Sequence, residues 1–251
     1  MSAVVTPIRR DTGPWAACSD PALPDPCRDC RVRERTMCAS LEPAEQAHVT
    51  AIMTTAELPA QTTVFHEADA AEYVYNVTEG ALKLVKIMPD GRQQITGFLF
   101  PGDFLGLTYN ERYACSADTL RPTRLCRFPR KRLEALFREM PKLERRLLGI
   151  ASNELAAAQD QMLLLGRKTA RERLASFLLM LSAGAKRRGL PADPIVVPMT
   201  RGEIADYLGL TLETVSRNFS WLKSRGYIRL MEAGAIRLLK PDALAKLADG
   251  D

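Results

Sequence analysis

Cys27, Cys30 and Cys38 form a C-x2-C-x7-C run in a chain of 251 residues. Three thiols this close, set among Arg28, Asp29, Arg31 and Arg33 with no apolar periodicity, read as ligands and not as core side chains. As thiolates they suit Zn²⁺ or an iron–sulfur cluster, and spacing alone does not separate the two. Cys18, Cys115 and Cys126 complete the set of six. Residues 1–19 carry no apolar segment and are interrupted by Arg9, Arg10 and Asp11, so no secretory leader is expected. No apolar run reaches the length of a membrane span. The expectation is a cytoplasmic protein whose cysteines stay reduced.

A second constellation lies near the C-terminus, over residues 198–225. Thr200 and Glu203 form a Thr-x-x-Glu capping box, and Met199 with Ile204 can staple it. Gly209 follows a short helix and suits a turn that requires positive φ. Thr211 then caps a second helix, with Leu210 and Val215 as its staple. Leu212, Val215, Phe219 and Leu222 recur at spacings of three and four, which predicts one buried face. Glu213, Ser216, Arg217 and Ser220 fall opposite. This is a helix-turn-helix whose second helix can enter a major groove. Arg217 can donate twice to guanine and Glu213 can accept from cytosine, while Ser216 can reach a base edge or a phosphate. Thr211, Ser220 and Arg201 complete the expected DNA-binding set. Residues 227–230 and 235–238 flank Glu232 to Gly234 as a β-hairpin wing, with Arg229 and Arg237 as phosphate contacts. The partner is double-stranded DNA.

Other elements must hold these two constellations. Residues 1–26 form a lead-in with five prolines, and residues 27–40 a cysteine loop. A helix is expected over 41–56. Short β-type runs at 62–66, 73–78, 81–88 and 93–100 alternate with turns at Glu79-Gly80, Pro89-Asp90-Gly91 and Pro101-Gly102-Asp103. They predict a small antiparallel sandwich or barrel, within a domain at 41–135. From about Arg132 to Arg167 the pattern turns helical. Leu147, Ala151, Leu155, Ala158, Met162 and Leu165 share a stripe that fits either a core or a two-stranded coiled-coil seam, and a two-fold DNA reader favours the seam. A dimerisation helix is therefore set at 136–168. The remaining 169–251 carries 15 Lys/Arg against 9 Asp/Glu when counted from Arg167, whereas the whole chain is only +5. That basic module fits a polyanionic partner.

The run Leu208-Gly-Leu-Thr-Leu-Glu-Thr-Val-Ser-Arg217 resembles the DNA-reading signature of the CRP/FNR family of transcription regulators. The upstream run Leu163-Leu-Leu-Gly-Arg-Lys-Thr-Ala-Arg-Glu-Arg-Leu174 is similar to that family too. The resemblance spans nearly the whole chain. It implies an α+β fold made of an N-terminal cyclic-nucleotide-binding-like β-roll, a long dimerisation helix and a C-terminal winged helix-turn-helix. It further implies Glu213, Ser216 and Arg217 as base contacts, a homodimer on a TTGAT-N4-ATCAA-like palindrome, and RNA polymerase as a partner, with the turn from Pro89 to Arg92 as a candidate contact. The cysteine run resembles the FNR branch of the FnrL/FnrN type. That likeness implies an oxygen-labile [4Fe–4S] cluster, one per subunit, on Cys27, Cys30, Cys38 and, by the match at Leu125-Cys-Arg-Phe128, Cys126. Cys115 is the rival fourth ligand and Cys18 a bystander.

Three other readings compete. A cyclic-nucleotide-responsive regulator needs an Arg-Ser pair after its Gly-Glu, and Arg112-Tyr-Ala-Cys-Ser116 after Gly102-Asp103 does not supply one. A cluster-free regulator of the FixK kind generally lacks the N-terminal triad. A redox or metal enzyme finds no support: His48 and His66 have no partner at a catalytic spacing, and the chain has no Walker or Rossmann glycine pattern.

Overall fold

The computed structural model describes residues 23, 25–108 and 110–250. Most of the lead-in, with Cys18, lies outside them. The chain divides into two compact units, residues 1–84 with 98–153 and residues 85–97 with 154–251.

In the first unit, three single 3-10 turns carry the cysteine run: Cys27–Asp29, Arg33–Arg35 and Met37–Ser40. Helix α1 comes next at Pro43–Ile52, opened by a Glu42/Glu45 capping box with Pro43 in the first turn. It is shorter than the expected 41–56, because Thr54–Leu58 leaves as strand β1. The expected strands appear as β2 (Thr63–Phe65), β3 (Tyr73–Glu79), β4 (Leu82–Ile87) and β5 (Gln93–Leu99), of which residues 85–97 count with the second unit. Three more went unread in the sequence: β6 (Phe104–Leu105), β7 (Ser116–Thr119) and β8 (Thr123–Pro129). They form two four-stranded sheets, β1-β8-β3-β6 and β2-β7-β4-β5. Gly80, at φ +92°, makes the β3–β4 turn, where a Cβ would lie 2.5 Å from the Pro122 carbonyl.

Strands alternate their side chains between faces, and the sheet β1-β8-β3-β6 is apolar on both. Tyr75, Val77, Leu105 and Leu125 join Phe65, Leu82 and Ala117 in the core between the sheets. Val74, Phe104 and Phe128 face the other way and pack under Met37, Cys38, Leu41, Val49, Leu133, Leu143 and Leu147.

The expected single helix from Arg132 is two, α2 (Arg130–Glu139) and α3 (Pro141–Arg167). Pro141 lacks the N–H that would continue α2, and it opens α3. Leu147 is 4% exposed inside the first unit's core, so its expected place on a dimer seam is corrected. Its neighbour Leu148 is 71% exposed. Starting there, Leu148, Ala151, Leu155, Ala158, Met162 and Leu165 recur at the alternating 3-4 spacing of a heptad seam. Leu155 and Met162 are 61% and 63% exposed, whereas Leu165 is half-buried.

In the second unit, helix α4 (Ala170–Arg187) begins with a Thr169/Glu172 capping box. Strand β9 (Ile195–Val196) leads to α5 (Arg201–Leu208) and α6 (Leu212–Ser224). The wing is β10 (Ile228–Leu230) and β11 (Ala235–Leu238), with sheet order β10-β11-β9, and α7 (Pro241–Asp249) ends the fold. No described helix is long and apolar enough to cross a membrane.

Leu147 and Leu148 separate experimentally. Leu147→Ala is expected to cost roughly 2–5 kcal/mol in urea unfolding, and Leu148→Ala of the monomer less than about 1 kcal/mol.

Candidate functional site

Cys126 sits on β8 opposite Thr55 of β1 and Asn76 of β3. The alternation that sends Leu125 into the inter-sheet core turns Cys126 and Asn76 toward the cysteine turns. Cys27, Cys30, Cys38 and Cys126 thereby line one cavity, together with Arg33, Thr36, Gln46, Asn76 and Phe128. Cys115, just before β7 in the other sheet, is not among its walls. Cys27 and Cys38 are buried, and Cys38 belongs to the apolar core, so the expectation that none of these is a core side chain is corrected for Cys38. Met37 and Leu41 carry the segment inward.

The cavity is about 20 Å³, room for about one water. Among the described residues no three Cys, His, Asp or Glu side chains are placed to hold a metal ion as they stand. A single zinc needs all its thiolates about 2.3 Å from one point. A four-iron cluster takes one thiolate per iron, so its thiols need only surround a common space. Three polar atoms at this cavity lack a partner: Arg33 Nε, Gln46 Oε1 and Asn76 Oδ1. Buried polar atoms are usually paired, so these three call for a partner such as a water or a bound group. The Gln46 amide nitrogen donates to Cys27 Sγ at 3.4 Å, the kind of bond that steadies a thiolate sulfur. Four thiols around one small cavity are a donor set that suits a thiolate-bound metal group, iron–sulfur or zinc.

Burial pushes up the Cys30 thiol, the Cys38 thiol to about 11, and the Cys126 thiol further. Neighbouring thiols reinforce the shift, so these three thiols hold protons that metal binding must displace.

The cysteine segment is tied to α3. Thr36 caps its last turn, its hydroxyl accepting from Cys38 N–H at 3.2 Å. Arg146 of α3 donates to the carbonyls of Thr36 and Arg35, both at 3.3 Å. Cys38 and Leu147 share one apolar cluster.

The helix-turn-helix is built as its capping signals require. Thr200 Oγ1 accepts from Glu203 N–H at 3.2 Å, and Glu203 returns the bond to Thr200 N–H at 2.8 Å. Gly209 adopts φ +60°. Thr211 Oγ1 accepts from Thr214 N–H at 3.2 Å. Val215, Phe219 and Leu222 are buried, but Leu212 is 49% exposed; as the first residue of α6 it lies beside the turn and not under the helix. Glu213, Ser216, Arg217 and Ser220 are all exposed. The Glu213 carboxyl is held below the usual range by its own backbone N–H and the Thr211 hydroxyl, so it is an acceptor at neutral pH. Arg217 rests against Thr214 Oγ1 at 3.3 Å, and Ser220 donates to the Ser216 carbonyl at 3.1 Å. Arg201 lies instead across the Phe219 ring, 3.1 Å from its centroid, and burial lowers its pKa to about 10. In the wing, Arg229 is exposed opposite Arg237, whose guanidinium faces Asp193 at 3.7 Å.

A groove of about 610 Å³ runs beside α6, lined by Thr169, Ala170, Arg171, Thr214, Arg217, Asn218 and Trp221. Arg171 stacks on Trp221 at 4.3 Å and brings the positive N-terminal end of α4 to the reading helix. Neither residue was singled out in the sequence. Their common signal is a cation and an aromatic ring on separate helices, which no local pattern joins.

A capped helix pair with a polar, exposed outer face, a basic groove and a wing defines a DNA-binding protein. Family models agree: residues 55–140 match the cyclic nucleotide-binding domain and residues 172–247 the Crp-like helix-turn-helix domain. The chain is 41% identical to the nitrogen fixation regulation protein FixK of Bradyrhizobium diazoefficiens, over 88% of this chain and 93% of that one. It is 39% identical to the transcriptional activator protein FnrL of Cereibacter sphaeroides, over 84% and 86%. The solved structure of FixK2 from Bradyrhizobium japonicum superposes with a TM-score of 0.73 at 38% identity, covering 78% of this chain and 97% of that one. The chain belongs to the CRP/FNR family; it is a DNA-binding transcription regulator and not an enzyme.

The buried Cys38 thiol makes a pH prediction for metal-free protein. Its folded pKa is raised, so unfolding releases a proton between about pH 9 and 11, and stability present below that window falls as pH rises through it. Urea titrations are expected to show wild type losing roughly 1–3 kcal/mol more than Cys38→Ala across the window.

Proposed function

We propose that this regulator responds to oxygen through a [4Fe–4S] cluster on Cys27, Cys30, Cys38 and Cys126. With the cluster intact it binds a TTGAT-N4-ATCAA-like palindrome as a cytoplasmic homodimer. The observation that carries this reading is that four thiols from two distant segments meet at one buried cavity with unpartnered polar atoms on its walls. A cluster supplies there an oxygen-sensitive link between the cysteine turns and β8. The likeness to FnrL supports the reading, and the likeness to FixK supports the cluster-free alternative.

The chain's own residues carry the consequence. While the turns stay against β8, Arg146 holds their carbonyls and Leu147 stays packed beside Cys38. The first turns of α3 are then fixed, and so is the direction in which Leu148 and the exposed stripe after it point. When the turns leave, Leu147 loses its packing, α3 is freed at that end, and the stripe no longer offers a second copy a single register. Burying each exposed Leu or Met of the stripe stabilises the pair by about 1.5–3 kcal/mol, so the balance is easily tipped. In the dimer, Glu213, Ser216 and Arg217 of each copy read one half-site. RNA polymerase completes the proposal. The turn carrying Asp90 and Arg92, exposed and closed on itself by their 2.8 Å ion pair, is a candidate contact.

Protein purified without oxygen is expected to be brown, with absorbance at about 400 nm that bleaches in air. Cys126→Ala should lose the band and Cys115→Ala keep it. Colourless anaerobic protein with one zinc per chain would sink the reading. Arg217→Ala should relax preference at one base pair, costing roughly 1–3 kcal/mol on the cognate site and little on variants there, as measured by competition binding.

A further inference from the structure

A helix leaves its last four carbonyls without partners in the helix. In α5 these belong to Ala205, Asp206, Tyr207 and Leu208. Ala205 accepts from the Leu210 N–H at 3.0 Å. The other three are met by side chains from elsewhere in the second unit. Gln94 Nε2 donates to Asp206 O at 2.6 Å, and Gln161 Nε2, on α3, to Tyr207 O at 2.8 Å. Arg173 Nη1 donates to Leu208 O at 2.9 Å and reaches Gly209 O at 3.5 Å.

Arg173 does more than close one helix. Its Nη2 donates to Leu165 O at 2.8 Å and its Nε to Lys168 O at 2.9 Å, at the end of α3. One guanidinium therefore stands between the C-termini of α3 and α5. Both ends carry partial negative charge, and the cation holds together two dipoles that would otherwise repel. Only the planar fork of arginine reaches both sets of carbonyls at once. Gly209 marks how close the approach is, since a Cβ there would lie 3.3 Å from Leu165 Cδ2 and 3.5 Å from Arg173 Nη1. The reading helix α6 starts three residues after Gly209, so this joint sets its direction relative to the last turns of α3.

We propose that Arg173 is the positioning residue that fixes the reading helix against α3, and so sets the half-site spacing the protein accepts. The inference rests on the dimeric DNA-binding reading above. In a dimer built along α3, the angle at this joint decides how far apart the two α6 helices stand, and hence the separation of half-sites. A loosened joint lets each α6 find its half-site at several separations, with the base contacts themselves unchanged.

The test uses the full-length protein, purified anaerobically, and a series of palindromes whose half-sites are moved apart or together by one and two base pairs. Wild type is expected to show one preferred spacing. Arg173→Gln should bind that spacing about tenfold or more weakly and the neighbouring spacings almost as well as wild type, flattening the profile. Arg173→Lys, which keeps the charge without the fork, should flatten it in part. Base substitutions within a half-site should cost all three proteins the same factor. Equal weakening at every spacing, or an unchanged profile, would overturn the proposal. If Arg173→Gln does not fold, Arg173→Lys decides by the same criterion. A wild type that binds no palindrome would overturn the dimeric reading itself, which sets that failure apart from a failure of Arg173.

Discussion

The sheet β1-β8-β3-β6 is apolar on both faces, and the first unit is arranged to keep both dry. The inner face meets the second sheet through Tyr75, Val77 and Leu125. The outer face, with Val74, Phe104 and Phe128, has no sheet to cover it and takes the cysteine turns, α1, α2 and the start of α3 instead. Removing such side chains from water is worth about 1.5–3 kcal/mol each, and together they offset the ordering of the turns that cover them. The outward pleat of β8 then places Cys126 beneath the three N-terminal cysteines. A single burial requirement therefore gathers the thiols and ties them to the helix on which the second copy is proposed to dock.

The second unit depends on a different economy, that of helix ends. Short helices such as α5 have nearly as many unpaired backbone groups as paired ones, so capping decides their position. At the N-termini, Thr200 and Thr211 supply the caps locally. At the C-terminus of α5 the partners come from residues 94, 161 and 173, which makes the reading head a part whose placement is set by side-chain donors. Its outer face stays free of such bonds to the rest of the unit, with Glu213, Ser216 and Arg217 bonding only within their own turn and cap.

The reading head was legible residue by residue because its signals are local. The Thr-x-x-Glu box, the αL glycine and the polar face of α6 each span fewer than about ten residues, and each reports a backbone bond made within that span. The strands were legible where Gly and Pro punctuate them and missed where they do not: β8 begins from Arg121-Pro122 but was noticed only for its cysteine. Pro141 could have split α2 from α3, yet the apolar stripe beyond it masked the break. For Arg201 the sequence shows an arginine at a helix start next to a signature, and only the fold shows Phe219 beneath it.

Sequence by itself determined that this chain carries a capped helix-turn-helix with a polar outer face, a run of three close thiols and a long helix with an apolar stripe. Tertiary structure decided which thiol meets the run, since Cys115 and Cys126 differ only in the sheet and pleat face to which pairing assigns them. It also decided that Leu148 and not Leu147 opens the stripe. One residue along a helix turns a side chain by about 100°, and only the core that Leu147 enters says which of the two faces outward. Bonds within a turn are written in neighbouring residues, whereas the burial of a face is written in whatever the rest of the chain brings to it.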